Sequence, residues 1–184
     1  YLLAESGLPG PRGNLELAAA VADVGERPCF LRYLTFDAAR APTGTREEFV
    51  AFCGVLGLGT LLARGECDVL PLVRSAAADP RWRLREAAAM ALQRWGTADM
   101  PALLDEMESW ARGPRLVQRA AAAALCEPAL LGDAAHTQRI LTILDAITAT
   151  LPAASDRATE EYRVLRQGLG YCWSVAVAAL PGAG

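Results

Sequence analysis

A Pro-Arg turn opens an alanine-rich helix twice in the middle of this chain. Asp79-Pro80-Arg81-Trp82-Arg83-Leu84-Arg85-Glu86-Ala87-Ala88-Ala89-Met90-Ala91-Leu92 is echoed by Gly113-Pro114-Arg115-Leu116-Val117-Gln118-Arg119-Ala120-Ala121-Ala122-Ala123-Ala124-Leu125. The prolines lie 34 positions apart, whereas Leu84 to Val117 and Leu92 to Leu125 are both 33. A period of that length predicts stacked two-helix units, since one helix pair cannot bury its own apolar face. The preceding helices share it: Leu70, Val73 and Ala77 return as Leu104, Met107 and Ala111, each 34 positions on. Two repeats follow, helix 68–78 with helix 81–95 and helix 98–112 with helix 114–127.

Composition agrees with a helical stack. Apolar residues make up 53% of the 184, yet aromatics only 7%, so alanine supplies the excess. Alanine has the highest helix propensity and permits close helix approach. Outside the repeats, Asn14 is placed to cap a helix carrying Leu15, Leu17, Ala18, Val21 and Val24. A short helix begins near Pro28, and Thr45 with Glu48 forms a capping box for a helix reaching Ala63. Asp68 is expected to cap the first repeat helix. Asp133 opens a helix to about Thr150, and a last helix runs from about Asp156 to Leu180. Residues 1–13 and 37–44 read as loops. No strand alternation appears, so the expected fold is all-α, a right-handed α-solenoid of antiparallel pairs with about nine helices, forming one domain over 1–184.

Gly54, Gly57 and Gly59 resemble a dinucleotide fingerprint only superficially, because no strand precedes them; they are read as sites where a neighbouring helix approaches. Chemistry is sparsely provided. His136 is the only histidine, no Cys/His ligand spacing occurs, and neither a Walker sequence nor a serine elbow is present. The expectation is no catalytic residue, no metal and no cofactor. Cys29, Cys53, Cys67, Cys126 and Cys172 are widely spaced without C-x-x-C and read as buried thiols of a reducing, cytoplasmic environment. No signal peptide is visible, although the chain begins with Tyr1 and leaves room for a preceding segment. The longest apolar run, Gly168 to Leu180, is shorter than the ~20 residues of a membrane span, so no membrane partner is expected.

Net charge is −3, which argues against nucleic-acid binding by the whole surface. Residues 81–119 nevertheless hold seven arginines against five acids. Wheel arithmetic from Leu84 places Ala88, Ala91, Leu92 and Trp95 on a core stripe, with Arg83, Glu86, Met90 and Gln93 pointing away and Trp82 leaning outward. Val117, Ala121, Ala124 and Leu125 make the matching stripe. Trp82, Arg83, Met90, Arg94, Arg115 and Arg119 are therefore the candidate binding residues, on the wall that the second helices of such pairs line. A structural account of the same residues also stands: helix-end arginines kept in solvent, Trp82 packed on an adjacent repeat, and the Ala122-Ala123 face covered by the last helices.

The segment from Asp79 through Ala88 to Leu92 resembles the second helix of HEAT repeats, where an Asp-Pro turn precedes an apolar residue, an arginine and a ladder of small residues. The resemblance covers residues 68–127 and is specific for architecture rather than activity; the first functional expectation is a non-enzymatic scaffold that holds a peptide or protein on its concave face. Trp82 and its neighbouring arginines give a weaker resemblance to bacterial HEAT-like DNA alkylation-repair proteins. That alternative implies duplex DNA held by phosphate contacts in an arginine-lined groove, or a glycosylase-like activity. The Asn-Trp-Asp segment of those enzymes is absent here, so no catalytic residue carries over. Neither resemblance bears on oligomeric state.

Overall fold

The structure, a computed structural model, describes residues 1–152, 154–180 and 182. Among these, nine α-helices and two short 3-10 turns occur, and no strand. The helices are α1 (Leu15–Val24), α2 (Arg27–Tyr33), α3 (Arg46–Ala63), α4 (Leu70–Ala77), α5 (Trp82–Ala98), α6 (Met100–Trp110), α7 (Arg115–Leu125), α8 (Ala134–Thr148) and α9 (Glu160–Ala179). They fall into two compact units, Tyr1–Arg94 and Trp95–Gly184, and the last turn of α5 belongs to the second.

In the first unit α3 is the central helix, and α1, α2 and α4 pack on it. Thr45 caps it by accepting from the Glu48 N–H at 3.3 Å. The reciprocal arm of the expected box lands one residue early, with the Gly44 N–H donating to Glu48 Oε2 at 2.7 Å. Fourteen of the eighteen residues of α3 are buried, which a single apolar stripe would not require. The three glycines explain how neighbours come so close. A Cβ at Gly57 would stand 2.2 Å from the Phe30 ring, one at Gly54 2.8 Å from Tyr33 Cβ, and one at Gly59 2.4 Å from the Ala91 carbonyl oxygen. Two glycines thus receive α2, and the third receives α5.

In the second unit α6 packs on both α7 and α8, while α7 and α8 also pack along α9. Asp99 and Asp133 cap α6 and α8 through the Ala102 and His136 N–H groups. Leu84 and Val117 are each the third residue of their helix and are 2% and 3% exposed, so they do equivalent local work. Val73, Ala77, Leu104, Met107 and Ala111 are buried as the period requires, whereas Leu70, the counterpart of Leu104, is only half-buried.

Four expectations need correction, two of them about helix boundaries and two about burial. Asp68 caps nothing: it lies within a 3-10 turn, and its carboxylate accepts from Arg27. The last helix starts at Glu160 with Thr159 as its cap, because Asp156 is committed to an ion pair with Arg115. Of the five thiols expected to be buried, Cys67 is exposed, since it sits on the same surface turn as Asp68, and Cys29 is only half-buried. In α5 the apolar stripe is wider than expected: Ala87 and Ala89 are buried along with Ala88 and Ala91.

Candidate functional site

The first unit contains a cleft of about 290 Å³ whose lining is mainly apolar. Its base is Phe49 and Phe52, one turn apart on α3, with rings stacked at 6.3 Å and nearly parallel. Trp82 and Met90 enter from α5, two turns apart, while Leu8 and Leu15 come from the N-terminal segment and the start of α1. Trp82 is 45% exposed, which is unusual for so large an apolar side chain and leaves its ring at the mouth of the cleft.

The N-terminal wall is not loose chain. The Ser6 hydroxyl shares its one proton between the Leu3 and Leu8 carbonyls, at 3.1 and 3.3 Å, and accepts from the Leu8 N–H. Arg46 Nε donates to the Leu8 carbonyl at 3.2 Å, and Arg83 Nη2 donates to the Gly10 carbonyl at 2.9 Å. A segment without regular structure is thereby tied to the starts of both α3 and α5.

Arg83 does not point into solvent as the wheel predicts. It is 9% exposed, its Nη1 lies 3.2 Å from Oε2 of the fully buried Glu48, and its guanidinium sits 4.4 Å from the Trp82 ring centroid. The second oxygen of Glu48 and Nε of Arg83 are buried without hydrogen-bond partners. The wheel fails here because the face it assigns to water is covered by the N-terminal segment and by α3.

The other predicted arginines are also engaged within the protein. Arg94, at the far end of α5 from Trp82, pairs with Asp23 and donates to the Thr60 hydroxyl. Arg115 makes a two-pronged contact with Asp156 at 2.9 and 3.1 Å and donates to Thr150 and Gln118. Its guanidinium holds the Asp156 carboxyl below the usual range. Arg119 lies under α9, its Cγ 3.6 Å from where a Cβ on Gly168 would stand. Of the six candidates, Trp82, Arg83 and Met90 therefore meet at one cleft; Arg94 is elsewhere in that unit, and Arg115 and Arg119 belong to the other.

Arg81, which the sequence did not single out, is the most deeply integrated arginine. It is 5% exposed, pairs with Asp79, and donates to the Phe36 and Ala41 carbonyls, so the Asp-Pro-Arg turn holds the 37–44 loop. Leu8, Phe49, Phe52 and Glu48 were also missed as site residues. The capping box marked Glu48, but only as a helix start, and nothing local in residues 1–13 announces a cleft wall.

The second unit has a depression of about 300 Å³ beside α6 and α8, with Ile143 and Ala146 below and Glu108, Arg112 and Arg139 at its edge. None of the six candidates borders it. Among the described residues, no group of three His, Cys, Asp or Glu side chains is placed to hold a metal ion. No helix among them is long and apolar enough to cross a membrane. Comparison with models of known protein families, with curated proteins and with solved structures finds no match for this chain.

Proposed function

We propose that this chain is a HEAT-like helical-repeat scaffold without enzymatic activity, which binds a peptide or protein partner by taking one large apolar side chain into the cleft between Phe49, Phe52, Leu8 and Met90. The observation that carries the reading is Trp82, a half-exposed indole at the mouth of a mainly apolar recess. Tryptophan at the edge of a desolvated pocket is the arrangement in which a few residues dominate binding energy. Of the two arginines that line the cleft, Arg83 is neutralised from inside by Glu48, so the recess suits an uncharged group. Arg12 and Glu86, of opposite sign, border it.

The duplex-DNA reading draws less support, since it needs arginines able to reach phosphates. Arg83, Arg94 and Arg115 each have a carboxylate partner, which a phosphate would have to displace. Peptide-display selection on the immobilised protein tests the proposal, with counter-selection on Trp82→Ala. Loss of an anchor worth about 2 kcal/mol should weaken selected peptides roughly 30-fold. Failure to find any peptide that distinguishes the two proteins would reject the proposal, as would tight, salt-sensitive binding of duplex DNA by the unmodified chain.

A further inference from the structure

Residues 6–13 wall the cleft without belonging to any helix, and the two ends of this segment are bonded together. The Asn14 N–H donates to the Ser6 carbonyl at 2.9 Å, and the Asn14 side chain donates to the Glu5 carbonyl at 3.0 Å. A loop of this length with closed ends keeps its own shape whether or not it lies against the helices. Its attachment to them is slight. Of residues 1–13 only Ser6 and Leu8 are buried, so one apolar side chain anchors the loop. Two guanidinium contacts add to that anchor, Arg46 Nε to the Leu8 carbonyl and Arg83 Nη2 to the Gly10 carbonyl. By contrast α3, on which the loop rests, has fourteen of its eighteen residues buried. A segment with so few buried apolar contacts opens at a lower cost than unfolding the unit beneath it. Its position bears directly on the cleft. Leu8, Pro11, Arg12 and Gly13 line the recess, and a Cβ on Gly13 would stand 3.5 Å from the Phe49 ring. The guanidinium that holds Gly10 also lies 4.4 Å from the Trp82 ring centroid, so loop and indole share one contact.

We infer that residues 6–13 are a flap that lifts from α3 and α5 while the helices stay folded, widens the cleft to admit an apolar side chain, and closes against it. Lifting withdraws Leu8 and breaks both guanidinium contacts, while the bonds to Asn14 remain as the hinge. Closing restores the Gly10 contact that holds Arg83 beside Trp82. The opening is a property of the free chain; the role as a lid rests on the reading of the cleft as a binding site.

The test uses the full chain carrying Leu8→Cys, labelled with maleimide under native conditions and mapped by mass spectrometry. The introduced thiol should react at least about a hundredfold faster than Cys53, which is 0% exposed in the core of the same unit. Its rate should not change with urea below the unfolding transition. Adding Arg46→Ala should raise it roughly fivefold by removing one contact. Because Leu8→Cys itself loosens the flap, the unmodified chain supplies a second measurement: trypsin should cut after Arg12 before it cuts any bond inside α3 or α5. A peptide selected for Trp82-dependent binding, at ten times its Kd, should slow labelling roughly tenfold. Labelling in step with Cys53, or a cut after Arg12 only alongside cuts in the helices, overturns the flap. Labelling left unchanged by the bound peptide overturns the lid and leaves the binding reading intact. Failure to select any peptide removes that reading and the lid with it, the flap being decided by the labelling and the tryptic order.

Discussion

The Glu48–Arg83 pair offers the sharpest test of how the first unit is held. At 3.2 Å and an effective dielectric near 20, the Coulomb attraction is about 5 kcal/mol before any cost of desolvation. That cost is large, because Glu48 is fully buried and Arg83 nearly so, and one polar atom on each side has no partner. Removing one partner alone leaves a buried charge. Arg83→Met should therefore destabilise by about 3–5 kcal/mol, lowering Tm by roughly 6–20 °C for a chain of this size. Glu48→Gln should cost less, since an amide oxygen can still accept from Gly44 N–H. The double variant Glu48→Gln/Arg83→Met should be at least 2 kcal/mol more stable than the sum of the single losses implies, because no uncompensated charge remains. Urea titration followed by far-ultraviolet circular dichroism measures all four corners of the cycle. Strict additivity, or a cost for Arg83→Met below about 1 kcal/mol, would refute the claim that this arginine is structural.

Three further outcomes follow from particular contacts. Gly57→Ala should cost about 1–3 kcal/mol by overpacking against the Phe30 ring, read as a lower urea midpoint; an unchanged midpoint would mean that α2 can shift freely. Arg115→Ala should lower thermal stability at pH 7, and the gap from the unmodified chain should narrow at pH 3. The sign follows from Asp156, whose carboxyl is held below its ordinary value: the stabilisation is present above the usual carboxylate range and is lost as pH falls through the depressed value. Under native maleimide labelling at pH 8, Cys67 should react first and Cys53 should resist, because burial pushes the Cys53 thiol up to about 12; mass spectrometry of the peptides gives the order.

What could be read from the sequence is what nearest neighbours decide. The caps at Asn14, Thr45 and Asp133 rest on hydrogen bonds to residues three positions on, so local pattern finds them. The buried stripe through Leu84, Ala88, Ala91 and Leu92 follows from helical periodicity, and the role of the α3 glycines from the absence of a preceding strand. The arginines were illegible for the opposite reason. Arg83 finds Glu48 35 positions away and Gly10 73 away; Arg115 finds Asp156 41 away. A helical wheel treats everything beyond its own cylinder as water, so it assigned these side chains to a surface. The cleft was illegible in the same sense, since its walls come from a turn-rich segment, α3 and α5, which only tertiary packing assembles.

The spacing of small residues along α3 has a consequence for recognising kin of this protein. Positions 54, 57 and 59 admit almost nothing larger than hydrogen, because an aromatic ring and two stretches of main chain already occupy the space. Drift can blur alanines and reshuffle guanidinium tethers while keeping a helix, but it cannot enlarge those three sites without prising the helices apart. A Gly-x-x-Gly-x-Gly register inside a capped eighteen-residue helix is thus a more durable fingerprint of this unit than the Asp-Pro-Arg turn that first draws the eye.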